Sequence, residues 1–161
     1  MVTERTQTDR VERVYRAESE RLLRMLIAFS RDRVIAEDAV AEAFAQAIRR
    51  GEEIEDVRAW VWRAAYRIAS ADLKARGRTS DVATTEGYEV EPPAVDLVAA
   101  LAHLSPKQRA AVLLHHYAGY SVREVAAIVD STSGAVRVHL SVGRRRLRSY
   151  LEDDGLEDDD G

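Results

Sequence analysis

The stretch from Ser121 to Tyr150 constrains this chain more than any other, because it reads as two short helices about a tight turn. Ser121-Val122-Arg123-Glu124 has the form of a capping box, in which the serine oxygen takes one orphan amide and the glutamate another. Val122, Val125, Ala126 and Val129 then share one face at helical spacing. Asp130-Ser131-Thr132-Ser133 is turn chemistry, and Ser131 or Thr132 is placed to cap the second helix. In that helix Val136, Leu140, Gly143 and Leu147 form one inward stripe, and Gly143 would let another backbone approach closely. Left outward are Ser133, Ala135, Arg137, Val138, Ser141, Arg144, Arg145 and Arg148, with no acidic residue from Ser133 to Tyr150. A helix-turn-helix of this kind can lie along DNA, with small or polar side chains toward base edges and arginines toward phosphates. A basic run alone is usually a solvated helix face. The cap, the short turn, the buried stripe and the acid-free second helix together favour DNA binding.

The rest of the chain is helical in pattern, and no strand alternation appears. Of 161 residues, 46% are hydrophobic and only 6% aromatic, and a core rich in Ala, Val and Leu suits helix packing. No run is long enough to span a bilayer and no signal peptide precedes the first charged helix, so a soluble cytoplasmic protein without membrane insertion is expected. With no cysteine there is neither disulfide nor thiolate metal site. The formal charge of −4 conceals an asymmetry: residues 152–161 hold seven acids and no base, which leaves 21 acidic against 24 basic side chains elsewhere. That acidic tail reads as disordered, either as a solubilising segment or as one that folds back on the arginine face and competes with DNA.

Organisation follows from where periodicity starts and stops. Residues 1–8 are expected to be disordered. Residues 9–76 form a helical domain of three helices. The first, from about Asp9 to Phe29, turns Val11, Val14, Tyr15, Leu22, Leu23, Leu26 and Ile27 inward. The second, from about Val34 to Arg49, buries Val40, Phe44, Ala47 and Ile48 and ends at Gly51. Glu37, Asp38, Ala41, Glu42 and Arg49 face outward on it. The third, from about Val57 to Ala75, turns Val61, Ala64, Ala65, Ile68 and Leu73 to the core and Arg63, Arg67, Ser70, Lys74 and Arg76 outward. Its Trp60, Trp62 and Tyr66 either close the core or offer stacking platforms to unpaired bases. Residues 77–93, without periodicity and with Pro92-Pro93 at their end, read as a flexible linker. The second domain, 94–151, opens with Leu97, Val98, Leu101 and Leu104 on a short helix. Ser105-Pro106-Lys107-Gln108 starts the next, which buries Ala110, Ala111, Leu113, Leu114 and Tyr117 and stops at Gly119.

This all-α arrangement, two small helical domains on a linker with a terminal helix-turn-helix, resembles the extracytoplasmic-function sigma factors of bacterial RNA polymerase, in the sigma-70 family. The resemblance rests on Ala36-Glu37-Asp38-Ala39-Val40-Ala41-Glu42-Ala43-Phe44, Arg58-Ala59-Trp60-Val61-Trp62-Arg63 and Leu104-Ser105-Pro106-Lys107-Gln108-Arg109. Tyr120-Ser121-Val122-Arg123-Glu124-Val125-Ala126 and Gly134-Ala135-Val136-Arg137-Val138-His139-Leu140 complete it, over residues 10–150. It implies a region 2 three-helix bundle and a region 4 helix-turn-helix domain. By the same resemblance Glu37, Asp38, Ala41, Glu42 and Arg49 would dock on the coiled coil of the polymerase's largest subunit. Trp60, Trp62, Arg63, Tyr66, Arg67, Lys74, Arg76 and Arg78 would hold the melted −10 element. Ser133, Ala135, Arg137, Val138, Ser141, Arg144, Arg145 and Arg148 would read the −35 element. An anti-sigma factor is an implied partner. The chain departs from the family's usual pattern at Ala41, Arg67, Asp130 and Ser131.

The competing reading is a DNA-binding regulator of sigma-like architecture that does not program polymerase. An enzyme fits poorly: there is no glycine-rich phosphate loop, no nucleophile elbow, and adjacent His115 and His116 are expected on different helix faces, unable to share a metal. No cofactor and no small-molecule substrate are expected.

Overall fold

The computed structural model describes the backbone of residues 2–77 and 92–157 and the side chains of residues 5–77 and 97–153. The chain divides into two units, Met1–Thr85 and Glu86–Gly161. The described residues form helices and no strand.

The first unit is built from α1 (Val2–Ser30), α2 (Arg33–Arg50) and α3 (Val57–Gly77), with a short 3-10 turn, Gly51–Glu53, after α2. Each helix packs on the other two. Asp32 starts α2: its extended backbone turns the chain, and its Oδ1 accepts from the amides of Val34 and Ile35 at 2.9 and 3.1 Å. Gly51 stops it in a left-handed conformation, φ 65°, that costs glycine little. Between those ends Ala36, Ala39, Ala43 and Ala47 are fully buried, and their small side chains let the neighbouring helices come close. Trp62 is the largest fully buried side chain. Burying an indole removes on the order of 200 Å² from water, a gross gain of about 5 kcal/mol. Its N–H is satisfied as well, donating to Glu18 Oε2 at 3.1 Å, while Glu18 Oε1 accepts from Arg58 Nε at 3.0 Å.

Several expectations are corrected here. The expected disordered lead over residues 1–8 is helical from Val2 onward, where α1 begins; residue 1 lies outside the described residues. The cause is tertiary. Gln7 is buried, and Arg10 donates to Gln7 Oε1 and to the carbonyls of Ile54 and Glu55 at 3.0 and 2.8 Å, which seats the early turns of α1 against the chain before α3. Tyr15 and Ile48 lie half-exposed rather than in the core, Tyr15 meeting Phe44 edge-on at 5.0 Å. The expected linker 77–93 falls almost wholly outside the described residues, and Pro92 already opens the next helix.

The second unit contains α4 (Pro92–Leu101), α5 (Pro106–Val112), α6 (Val122–Ile128) and α7 (Ser133–Glu157). At α5 both halves of a capping box form: Ser105 Oγ accepts from the Gln108 amide at 3.2 Å, and Gln108 Oε1 accepts from the Ser105 amide at 3.1 Å. The helix then widens into a π-helical turn, Leu113–Tyr117, which is released at Gly119 with φ 81°. Helices α4, α5 and α6 all pack on α7. Gly143 is where α7 and α5 approach most tightly, since a Cβ there would stand 3.0 Å from Val112 Cγ2 and 3.7 Å from the Gln108 carbonyl. Tyr117 and Leu97, expected inside, are exposed.

Helix α7 continues through Glu157, so residues 152–157 are helical rather than a disordered acidic tail; residues 158–161 lie outside the described part. Leucine and glutamate are good helix formers, and Glu152 stands one turn beyond Arg148 on the same face. A segment held in that helix cannot fold back over the arginines that precede it. Among the described residues no helix is long and apolar enough to cross a membrane.

Candidate nucleic-acid interface

The helix-turn-helix is closed by local chemistry at every step. Ser121 Oγ accepts from the Glu124 amide at 3.1 Å and so starts α6. The expected second half of that box does not form, because the Glu124 carboxylate accepts from the Ser121 hydroxyl at 3.1 Å instead of from its amide. At the other end Asp130 is left-handed, φ 56°, and the Ser131 amide donates back to the Ala126 carbonyl at 2.9 Å. That is a Schellman closure with aspartate where glycine is usual. Thr132 Oγ1 then accepts from the Ala135 amide at 3.1 Å and caps α7. Val125 and Val136 are fully buried, with Ala126, Ile128 and Leu140 nearly so, which locks the angle between the two helices.

With Val136, Leu140 and Gly143 turned inward, α7 presents its other side to solvent. Arg137, Val138, Ser141, Arg144, Arg145 and Arg148 are exposed, while Ser133 and Ala135 near the helix start are half-buried. None of Arg137, Arg144, Arg145 and Arg148 is in an ion pair among the described residues. From Arg137 to Arg148 the helix advances roughly 16 Å, long enough to follow a major groove that is about 12 Å wide. Arg146 faces elsewhere and donates to Gln108 Oε1 on α5 at 3.2 Å.

Beside this face lies a pair that the sequence reading kept apart. The rings of His115 and His116 meet at 4.8 Å, because the π-helical turn changes the angle between successive side chains. His115 Nδ1 lies 2.7 Å from the Tyr120 carbonyl and therefore carries its proton there. Burial, then the charges of His115 and Arg144, hold the His116 pKa below the ordinary 6.5. Among the described residues no group of three or more metal-ligating side chains is assembled.

The first unit divides the residues expected at a melted strand into two sets. Arg63, Arg67 and Lys74 are exposed with half-buried Ser70 among them, at spacings that make one basic stripe along α3, and Trp60 is half-buried. Trp62 and Tyr66 are not available as stacking platforms. Trp62 is fully buried, and Tyr66 packs on Phe29 at 5.2 Å. Burial raises the Tyr66 phenol pKa, with a hydrogen bond to Ser70 opposing it. Arg76 is half-exposed and paired with Asp32, and Arg78 lies outside the described residues.

On α2 the expected docking residues Glu37, Asp38, Ala41, Glu42 and Arg49 are all exposed. Glu37 pairs with Arg33 at 2.6 Å. Glu42 accepts from Gln46 at 3.0 Å and from Arg49 at 2.9 Å, and these two bonds lower its pKa. Asp38 has no such partner among the described residues. The sequence reading missed an apolar component of this face: Val34 and Ile48 are each 53% exposed, and with Ala41 between them they recur at heptad spacing.

Comparison with known proteins agrees with this geometry. Residues 94–147 match the family model for sigma-70, region 4. The chain is 28% identical over 156 residues to the ECF RNA polymerase sigma factor SigE of Mycolicibacterium smegmatis, covering 87% of this chain and 61% of that protein. It thus spans less than two thirds of that relative. It is 29% identical to the RNA polymerase sigma-E factor of Streptomyces antibioticus, covering 91% of this chain and 87% of that protein. In fold it is similar to the sigma factor RpoE of Bartonella quintana, solved with the anti-sigma factor NepR, with a TM-score of 0.70, 23% identity and coverage of 90% and 96%. It is similar also to CnrH, solved with the cytosolic domain of CnrY, with a TM-score of 0.71, 17% identity and coverage of 94% of each chain. By its match to sigma-70 region 4 and by these relatives, the chain is similar to the extracytoplasmic-function sigma factors of the sigma-70 family.

Proposed function

We propose that the protein binds core RNA polymerase in the cytoplasm and directs it to promoters, contributing binding energy and no bond chemistry of its own. The observation that carries this is the arginine face of α7, displayed by a closed helix-turn-helix in the segment that matches sigma-70 region 4. Ser133, Ala135, Arg137, Val138, Ser141, Arg144, Arg145 and Arg148 read the −35 duplex, the early side chains at base edges and the later arginines at phosphates. The stripe Arg63, Arg67 and Lys74, with Trp60 beside it, holds the unpaired −10 strand by charge and stacking. The exposed face of α2, from Val34 through Glu37, Asp38, Ala41 and Glu42 to Ile48 and Arg49, docks on the coiled coil of the largest polymerase subunit. An anti-sigma factor is a further partner of the free protein, a reading supported by the similar fold of RpoE, which was solved in complex with the anti-sigma factor NepR. Purified protein and core polymerase, given genomic DNA and nucleotides, should start transcripts at discrete sites that share two sequence elements at fixed spacing. DNA binding without association with core would identify a regulator that has only the architecture.

A further inference from the structure

The π-helical turn that ends α5 brings His116 to the edge of the arginine face of α7. The two helices run antiparallel: Arg146 reaches Gln108, Gly143 meets Val112 one turn further along α5, and His116 follows a turn after Val112. Arg144, next to Gly143, is close enough for its charge to act on that imidazole. Both side chains are exposed, and Arg144 is in no ion pair among the described residues. His115 is committed elsewhere. Its Nδ1 is engaged by the Tyr120 carbonyl at 2.7 Å, and its ring meets that of His116 at 4.8 Å. The charges acting on His116 are those of His115 in its own turn and Arg144 on α7. Helices α5 and α6, also packed on the turn, bring none to bear on it among the described residues. We propose that His116 is a further phosphate-binding residue of the DNA face, contacting the duplex backbone beside Arg144 as the imidazolium, so that duplex binding takes up a proton. This deepens the proposed role of α7 and rests on it.

In the free protein burial, then His115 and Arg144, disfavour the imidazolium and hold its pKa below the ordinary 6.5. A phosphate beside both Arg144 and His116 supplies the opposite charge to each and offsets their mutual repulsion, which raises the pKa in the complex. The sign follows. Affinity is greatest below the free-protein value and falls as pH rises through the value in the complex. A merely solvated histidine in this turn would take up no proton on binding, and any pH dependence would come from His103, His115 or His139. The test is anisotropy of a short, random-sequence duplex labelled with tetramethylrhodamine, titrated with the full chain at about pH 6 and about pH 8, on either side of the ordinary histidine value, at several salt concentrations. The wild-type chain should bind about fivefold more tightly at the lower pH, with a salt slope steeper by up to about 0.9. His116→Gln should bind equally at both, with the wild-type's high-pH strength, and His116→Lys should bind at both with its low-pH strength. Arg144→Ala should weaken binding at both. Circular dichroism should show each variant folded at each pH. If the wild-type affinity does not change with pH, or if His116→Gln keeps the change, the His116 contact is wrong, and a loss in Arg144→Ala still upholds the role of α7. If Arg144→Ala has no effect either, the His116 contact falls together with the face it flanks.

Discussion

At single residues the helix-turn-helix balances local strain against close packing. Asp130 adopts a left-handed backbone that costs a side-chain-bearing residue about 1 kcal/mol. Asp130→Gly should therefore raise stability by about that amount in urea unfolding, and a loss would show the carboxylate to be needed. Gly143 is the converse case, with no room for a longer side chain beside Val112. Gly143→Leu should lower stability by roughly 2–3 kcal/mol through overpacking. His116 supplies a pH dependence whose sign is fixed. Its pKa in the folded protein lies below the ordinary 6.5, so near and below that pH the unfolded chain binds more protons. The contribution is fully present above pH 6.5 and is lost as pH falls through the depressed value. His116→Gln should flatten the small acid-side slope of the melting temperature, and an unchanged slope would contradict the assignment.

At the scale of elements, α3 and α7 each separate a buried apolar face from an exposed basic one. On α3, Trp62→Ala should cost about 3–5 kcal/mol of stability. Trp60→Ala should instead leave folding near wild type and weaken binding to single-stranded DNA. On α7, Arg144→Ala and Arg145→Ala should each lower the salt dependence of duplex binding by about 0.9 log units per log unit of salt. What could be read from the sequence was what local chemistry decides. Ser105 and Ser121 mark helix starts, Gly51 marks a stop, and the stripe from Val136 to Gly143 places the arginines outside. What could not be read depends on distant partners. The partner that lets the Trp62 indole N–H be buried is Glu18, more than 40 positions earlier. The early turns of α1 are held by carbonyls at Ile54 and Glu55, and the meeting of His115 with His116 needs a π-helical turn that no composition signals. Tyr15 and Ile48 fit an amphipathic period yet lie at its edge, half-exposed, although Tyr15 still meets Phe44 of α2.

At the scale of the molecule, the proposed function gives the two units sites of different kinds, one for unpaired bases and one for duplex. Joined in one chain, the binding of either raises the effective concentration of the other, so affinity rests on both being engaged at the right spacing. Charge is segregated along the sequence of α7: Ser133 to Tyr150 holds no acid, and the acids of this helix begin at Glu152. The most direct test is permanganate reactivity of thymines on a promoter identified from the transcripts. Thymines of the −10 element should become reactive when core polymerase and this protein are both present, and stay unreactive with either alone. A duplex that the protein binds by itself, and that never opens when core is added, would contradict the proposed function outright.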